Sequence, residues 1–280
     1  MHFIAIARGS RYSPNHVGND SKILALTIDQ IRAKGHSVSV YDEDQLRPDL
    51  IKTPYIFSMI RGSRSLKILQ EVEKQGALVV NSTSGVYNCY RENLARLLPK
   101  AGVNIPTTLV LDTQKKIENI PFAGKPFKVW IKRGDVHAIH REDVTLVYSI
   151  EELTEVLHEY HRRGIGAAVV QEHITGPVVK FYAVKNTPFF HFYFHDRTTA
   201  LPFDTAMLMD MAQRSAEVLD VDIYGGDAVI GPEGDIRIID LNDWPSFAPV
   251  RDEASKWIAK VILEKAEHHP AEVFISTLSL

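Results

Sequence analysis

Three oxygen-bearing side chains near the carboxyl end of the sequence have the types and spacing of a cation site. In the segment IRIIDLNDWPSF, residues 236–247, an alternating apolar pattern runs directly into Asp240 and Asn242, and Asp227 begins the preceding apolar stretch DAVI. A carboxylate without a partner at the edge of a core costs several kcal/mol. Carboxylate and amide oxygens are the ligands that Mg²⁺ prefers, so these residues form a candidate metal site.

A predicted hairpin brings the three residues together. The connection GPEGD, residues 231–235, is typical of a turn between two strands. Antiparallel pairing then places Asp227 and Asp240 opposite each other or one register apart, at the open end of the hairpin, with Asn242 on the same face. A hard cation would relieve the repulsion between the carboxylates. The alternative is that a basic side chain such as Arg237 neutralises them in a surface turn.

The elements that must position these residues change character along the chain. In the first 84 residues, the strand patterns HFIAIA, HSVSVYD, PYIFSMIRG and ALVVNS alternate with helical patterns at 21–34 and 63–76, as in a parallel α/β sheet. Later stretches such as TTLVLD, FKVWIKRG and PVVKFYAVKN are β-branched or aromatic, and one clear helical pattern, SIEELTEVLHEYHRRG, lies among them. We therefore predict an α/β region followed by an α+β region with mostly antiparallel strands.

Composition excludes several classes of protein. The 32 basic and 35 acidic side chains give a formal charge of −3, which predicts no nucleic-acid partner. The single cysteine, Cys89, excludes an internal disulfide and a cysteine-based zinc site and suits a reducing compartment. The start, MHFIAIARGSRYSP, has too short an apolar run for a signal peptide or a membrane span. We expect a soluble cytoplasmic protein without a membrane partner, whose oligomeric state the sequence leaves open.

The order of the segments resembles the ATP-grasp superfamily over nearly the whole chain. The stretch NSTSGVYNCYRENLARLLPKAGVNIPTT is similar to the segment that enters the central domain of that family. A strand lysine follows in FKVWIKRG, a hinge strand in VVQEHI, and the paired acidic strands end in IIDLNDWP. The resemblance implies an ATP-grasp architecture: an amino-terminal parallel α/β domain (1–84), then two α+β subdomains (85–175 and 176–280) that clamp ATP. The linking helix belongs to the second unit and the metal site to the third.

The resemblance also implies a role for individual residues. Asp227, Asp240, Asn242 and Pro245 match the family's metal signature, so the first three would hold one or two Mg²⁺ on the ATP phosphates. Lys132 would contact the ATP phosphates, and Lys180 would face the transferred phosphate. The adenine hinge would consist of Gln171, Glu172 and Ile174. Val169 and Val170 would form part of the apolar walls around the base. From residue type alone, solvated strand positions are the alternative for both lysines, and a plain inner strand is the alternative for the hinge.

Two departures from the family pattern concern the phosphates. The lysine expected at the start of the linking helix is replaced by Glu92-Asn93. Arg91 or Arg96 would supply the missing charge, unless both lie on a solvated helix face. The loop after Lys132, RGDVHAIHRED, has a single glycine, whereas a phosphate-covering loop is normally glycine-rich.

The acceptor side resembles two branches of the family. His137 and His140 in the glycine-poor loop are similar to features of the inositol-polyphosphate kinases, where a loop histidine contacts the acceptor. His140 or Asp243 would then take the hydroxyl proton. The segment MIRGSRSLKILQEVEKQGALVVNS instead resembles carboxylate–amine ligases of the ribosomal-protein-modifying and glutathione synthetase type. Basic residues that would bind an anionic substrate are Arg8 and Arg11 after the first strand, Arg61 and Arg64 at a helix start, and Arg251 beyond the metal strand.

We therefore expect a Mg-ATP-dependent carboxylate–amine ligase that works through an acyl phosphate on an anionic small molecule or peptide. Ligation is favoured by the amino-terminal segment and because it is the commoner chemistry of the family. A kinase that phosphorylates a hydroxyl is the first alternative, and a nucleotide-binding protein without catalysis is the second. The predicted catalytic residues are Lys132, Lys180, His140 and Arg251.

Overall fold

The computed structural model describes residues 1–12, 17–195, 201–270 and 274. Its strands are β1 (His2–Ala7), β2 (Ser37–Asp42), β3 (Tyr55–Ser58), β4 (Leu78–Val80), β5 (Thr108–Asp112), β6 (Val129–Arg133), β7 (Val144–Val147), β8 (Ala167–Glu172), β9 (Val178–Val184), β10 (Phe190–Phe194), β11 (Ile223–Ile230) and β12 (Ile236–Asp243). Its α-helices are α1 (Val17–Ala33), α2 (Ser63–Lys74), α3 (Thr83–Asn88), α4 (Arg91–Leu97), α5 (Ile150–Arg162), α6 (Thr205–Leu219) and α7 (Arg251–Glu267). No helix in these ranges is both long and apolar enough to cross a bilayer.

The amino-terminal strands form a parallel sheet in the order β2-β1-β3-β4. Residues of β1 alternate between two cores, because successive side chains of a strand point to opposite faces. Phe3 packs in a core with residues of α1 and α7, and Ile4 packs in a second core with residues of α2. The sheet is therefore covered on both faces, as its continuous apolar strands predict.

Two four-stranded antiparallel-rich sheets follow. The first has the order β5-β8-β6-β7 and packs against α5, and the second has the order β10-β9-β11-β12 and packs against α6. The predicted succession of a parallel α/β unit and two α+β units is confirmed. The chain passes between the two antiparallel sheets at residues 173–177, and a cleft lies there.

The position of the acidic pair within its hairpin differs from the prediction. Asp227 and Asp240 are register partners, as predicted, but β11 begins at Ile223 and β12 continues to Asp243, so the pair lies inside the ladder and not at its open end. Gly226 continues the strand because it lacks a side chain: a Cβ there would lie 2.6 Å from the Asp240 carbonyl oxygen. The strand thus begins four residues before Asp227, and Gly225 and Gly226 are strand residues that permit close packing.

Asn81, which follows β4, joins the amino-terminal sheet to the start of β11. Its side-chain amide donates to the Ile223 carbonyl over 2.8 Å, and its Oδ1 accepts from the backbone N–H groups of Asp222 at 2.9 Å and Ile223 at 2.8 Å. Asn81 is fully buried. These bonds hold the acidic hairpin against the sheet that carries the amino-terminal loops.

Replacing Asn81 with alanine is expected to lower the free energy of unfolding by about 3 kcal/mol, because several buried backbone groups lose their partners at about 1–3 kcal/mol each. Urea denaturation followed by circular dichroism measures the change. The matched control is Gln114→Ala, since Gln114 is exposed and only its backbone N–H bonds to Asp112. A loss no larger in Asn81→Ala than in the control would contradict this role.

Candidate functional site

The cleft between the two antiparallel sheets has a volume of about 530 Å³. The residues predicted from the sequence that line it are Lys132, Gln171, Glu172, Ile174, Lys180, Asp227 and Asp240. The lining does not include three further predicted residues: Asn242, His140 and Arg251. Most of the predicted nucleotide and metal residues thus share one concave site, whereas the predicted acceptor residues do not.

A row of charges crosses the floor of the cleft. Pairing of β9, β11 and β12 sets Lys180, Asp227 and Asp240 side by side on one rung of the sheet. Lys180 Nζ lies 2.7 Å from Asp227 Oδ1, and Arg91 Nη2 from α4 lies 2.6 Å from Asp240 Oδ2. Each carboxylate therefore has its own cation. The sequence left open whether a metal ion or a basic side chain such as Arg237 neutralises the acids. In this structure basic side chains do so, but they are Lys180 and Arg91 and not Arg237.

The ion pairs shift the pKa values of Asp240 and Lys180 towards their charged forms. Burial alone would raise the pKa of Asp240, but Arg91 and Lys132 outweigh it and lower the pKa to about 2. Burial alone would lower the pKa of Lys180, and the charge and hydrogen bond of Asp227 outweigh it so that the pKa is raised. Asp240 and Lys180 are therefore both charged at neutral pH.

Lys132 is a buried lysine on the opposite wall of the cleft, with 6% of its surface exposed. Its Nζ donates to Gln171 Oε1 at 2.8 Å and to the Ile239 carbonyl oxygen at 2.9 Å. The Ile239 carbonyl is available because the register of β12 shifts there, where Asp227 faces Asp240 but Ala228 faces Ile238. Burial, with a contribution from Arg91, lowers the pKa of Lys132 to about 8.

Of the two arginines that could supply the charge absent from the family pattern, Arg91 is the one that lines the cleft. It begins α4 and is 6% exposed, and its buried Nε and Nη1 atoms have no hydrogen-bond partner in the described ranges of the chain. Arg96 is exposed and lies 3.6 Å from Glu92 in an ordinary helical ion pair. The structure thus separates two arginines that the sequence left equivalent. Five residues along a helix place them on different faces, and only the tertiary fold selects the buried one.

The donors near the acidic pair suit Mg²⁺. Asn242 lies opposite Gly225, two residues beyond Asp240, so its side chain leaves the same face of the sheet. Two carboxylates and an amide oxygen are hard ligands of the kind that Mg²⁺ takes. Within the part of the chain that the structure describes, no group of three His, Cys, Asp or Glu side chains is placed to hold a metal. A cation bound here would therefore need further oxygens from a ligand or from water.

The apolar walls of the cleft differ from the prediction. Val170 packs in the core beneath α5, and Val169 faces a narrow crevice beside α4, so neither forms the cleft wall. The walls are formed by residues that no motif in the sequence marks: Trp130, Val144, His173, Val178, Val229 and Ile239. Trp130 was within reach of prediction, because it lies two residues before Lys132 and so shares its face of β6.

The loop after β6 is anchored to its surroundings. His137 is 3% exposed, and its Nε2 donates to Asp243 Oδ1 at 3.0 Å. Burial and the charge of Arg61 lower the pKa of His137 to about 4, so it is neutral at physiological pH. His140 is exposed, and its backbone N–H donates to Asp143 at 3.0 Å. The structure therefore does not support the prediction that His140 acts on an acceptor, because its side chain lies outside the cleft.

The predicted anion site at the start of α2 already holds an anion of the chain itself. Glu43 is buried, and its carboxylate accepts from the backbone N–H groups of Gly9 at 2.8 Å, Arg61 at 3.0 Å and Gly62 at 2.6 Å. Arg64 is exposed. The helix start is thus occupied by Glu43, a residue that is distant in sequence and carries no motif.

The remaining predicted anion clamps are also engaged inside the protein. Arg8 pairs with Asp20 at 2.9 Å, and Arg11 bonds Asp44. Arg251, at the start of α7, donates to the Ser246 carbonyl at 3.1 Å and to Asn19 at 2.7 Å. These contacts stabilise the loops at the carboxyl ends of the amino-terminal strands, and they do not place these arginines in the cleft.

Solved structures similar to this chain are ligases or carry an ATP-grasp fold. The D-alanine–D-alanine ligase from Coxiella burnetii superposes over 100% of this chain and 99% of its own, with 14% identity and a TM-score of 0.75. A RimK domain ATP-grasp protein from Sphaerobacter thermophilus covers 93% of this chain and 99% of its own, with 21% identity and a TM-score of 0.68. The D-alanine–D-alanine ligase from Bacillus anthracis complexed with ATP covers 95% and 97%, with 12% identity and a TM-score of 0.69.

No protein-family model matches the sequence, and no curated protein sequence is significantly similar to it. The similarity to solved structures nevertheless extends over nearly the full length of both chains. At these identities it establishes the fold. The resemblance to the ATP-grasp superfamily that the motifs carry is thus confirmed at the level of the fold.

Proposed function

We propose that this chain is a Mg-ATP-dependent carboxylate–amine ligase that activates an anionic small molecule or peptide as an acyl phosphate. The observation that carries the proposal is the cleft floor, where Asp227 and Asp240 lie between Lys180 and Arg91 and face Lys132. Such a set of fixed charges suits a polyphosphate with a divalent cation. The fold agrees, since similar structures include D-alanine–D-alanine and D-Ala:D-Ser ligases.

Each part of the cleft then has one task. The basic residues bind phosphate oxygens: Arg91, Lys132 and Lys180. The acidic rung, with Asn242, would hold one or two Mg²⁺, which supply neutralisation of the phosphate charge when bound. Backbone groups of Gln171 to Ile174 bind the edge of the adenine, and Trp130 forms an apolar wall for the ring. The proposal includes three structural units, residues 1–84, 85–175 and 176–280. It also includes a cytoplasmic location for the protein.

The acceptor chemistry favours a ligase over a kinase. A carboxylate attacks as an anion and needs no base, whereas a hydroxyl must lose a proton during the transfer. His140 lies outside the cleft, and His137 is fixed to Asp243. The two loop histidines that suggested a kinase are therefore not presented to the nucleotide site.

The affinity of the protein for Mg-ATP is expected to fall as the pH rises through about 8, where free Lys132 loses its proton. Only the ammonium form attracts phosphate, and bound phosphate raises the pKa of Lys132, so the affinity decreases by up to about tenfold per pH unit above that point. Calorimetric titration from pH 7 to pH 10 measures the profile. In Lys132→Arg the charge persists, so a flat profile is expected whatever the absolute affinity. An equally steep fall in both proteins would assign the effect to another group.

Phosphorus NMR distinguishes the two reactions. The protein is mixed with Mg-ATP and either amino acids and peptides or inositol phosphates. A ligase releases free phosphate only when a carboxylate and an amine are both present. New phosphoester signals without free phosphate would instead identify a kinase. Binding of Mg-ATP without turnover in any pool would leave the non-catalytic alternative.

A further inference from the structure

The acidic rung of the free protein is fully neutralised by its own side chains. Asp240 Oδ2 lies 2.6 Å from Arg91 Nη2, with 14% and 7% of the two side chains exposed, and Asp227 Oδ1 lies 2.7 Å from Lys180 Nζ, with 23% and 29% exposed. A divalent cation that approaches this rung must displace an ammonium and a guanidinium. In a largely buried site, a displaced cation without a new partner is costly.

The same basic residues have unused capacity for anions. Two nitrogens of Arg91, Nε and Nη1, are buried without a hydrogen-bond partner among the described residues, although buried polar atoms are nearly always paired. An ammonium has three donors, and within the part of the chain that the structure describes Lys180 Nζ makes one hydrogen bond, to Asp227. Both side chains line the cleft in which we place the phosphates. A phosphate chain would offer each of them a new anionic partner without their leaving the cleft.

We infer that Arg91 and Lys180 are exchangeable counter-ions that hold Asp240 and Asp227 until nucleotide phosphates draw them away, so that a divalent cation binds the rung only together with nucleotide. The inference rests on the proposed function. Nucleotide promotes cation binding because it frees the carboxylates, and by thermodynamic reciprocity the cation promotes nucleotide binding by the same factor. The protein thus does not bind free Mg²⁺ at the acidic rung before the nucleotide arrives.

Mn²⁺ titration without nucleotide tests the first half of the exchange. The unbound Mn²⁺ signal in electron paramagnetic resonance gives the dissociation constant of the wild type and of the double variant Arg91→Gln/Lys180→Gln. The double variant is expected to bind Mn²⁺ about tenfold more tightly or better, within the usual range of site–site coupling. Adding Asp240→Asn to it should abolish the gain. The control Lys265→Gln removes a surface ion pair of similar length, 2.6 Å to Asp222, and should bind as the wild type does.

ATP binding in EDTA tests the second half of the exchange, in which Arg91 leaves Asp240 for the nucleotide phosphates. It also tests the counter-ion exchange if the double variant does not fold. Asp240→Asn releases Arg91 and is expected to bind metal-free ATP about tenfold more tightly than the wild type. In the background of Arg91→Gln the gain should vanish, because there is no guanidinium to release. A general loss of negative charge would give the same gain in both backgrounds. Asp235→Asn, in the turn of the same hairpin, is the control for charge at a distance.

The outcomes separate this inference from the proposed function. If the wild type binds Mg-ATP but the folded double variant gains no affinity for Mn²⁺, the counter-ion exchange is wrong and the nucleotide site stands. If the Asp240→Asn gain persists without Arg91, the exchange is also wrong. If the wild type does not bind ATP with or without divalent cations, the proposed function fails and this inference fails with it.

Discussion

Replacing Asp240 with asparagine is expected to reduce ATP consumption about a thousandfold, the loss typical of removing one fixed electrostatic contact in a transferring site. Asparagine keeps the shape of the side chain but removes the negative charge that attracts the cation. Consumption is measured as phosphate or phosphoester formed with the substrate pool that supports turnover. Of the substitutions considered, this one acts most directly on the chemistry, because Asp240 is ionised and faces both Arg91 and Lys132.

The fold of Asp240→Asn must be checked separately. Losing one partner of a buried ion pair leaves Arg91 uncompensated and typically costs about 3–5 kcal/mol. Thermal unfolding therefore accompanies the assay, which is run well below the melting temperature of the variant. Asp235→Asn on the same hairpin should keep full activity, since Asp235 lies in the turn and pairs with Arg237 at 3.2 Å. Full activity in folded Asp240→Asn would remove Asp240 from the site.

The second large effect is expected at Arg91. Replacing it with methionine should weaken Mg-ATP binding about a hundredfold, because a charged group that hydrogen-bonds phosphate is lost from a poorly solvated site. Arg96→Met, on the same helix, should bind as the wild type does, since Arg96 is exposed and its pair with Glu92 spans 3.6 Å. Calorimetry with a non-hydrolysable ATP analogue measures both. Equal losses would show that α4 contributes only a diffuse positive field.

Arg91→Met also changes the dependence of stability on pH. In the wild type the folded pKa of Asp240 is about 2, below its usual value, so the group contributes stability that is present above pH 4 and is lost as the pH falls towards about 2. Without Arg91, burial dominates and the pKa of Asp240 rises, so this contribution disappears. We expect the stability difference between wild type and variant to shrink as the pH falls from 5 to 2.

The fold was predictable because its signals are local and repeat along the chain. The apolar run HFIAIA identified β1 with its full length, His2–Ala7, and the helical pattern at 63–76 identified α2, Ser63–Lys74, within two residues. The turn at 231–235 sufficed to place Asp227 opposite Asp240. The prediction that the first hairpin strand begins at Asp227 was wrong for a tertiary reason, since Gly225 and Gly226 continue β11 and pack closely against β9 and β12, which the local sequence does not reveal.

The site was predictable only where a motif determines it. Lys132, Gln171 and the acidic rung follow strand patterns and meet in the cleft. Arg91 and Arg8 do not follow such patterns, because each has a partner that is distant in sequence: Arg91 pairs with Asp240, and Arg8 donates to the Trp244 carbonyl. Glu43 shows the same limit, since a buried carboxylate that fills a helix start cannot be distinguished in sequence from a solvated one.

A crystal structure with Mn²⁺ and a non-hydrolysable ATP analogue would show directly whether the acidic rung binds a divalent cation together with the nucleotide phosphates. Anomalous scattering locates Mn²⁺ without reference to the fit of the nucleotide. We expect an anomalous peak within coordination distance of Asp227, Asp240 and Asn242, phosphate oxygens on the same ion, and Arg91 and Lys180 turned from the carboxylates to the phosphates. Nucleotide bound elsewhere, or Mn²⁺ away from the acidic rung while both ion pairs persist, would contradict it.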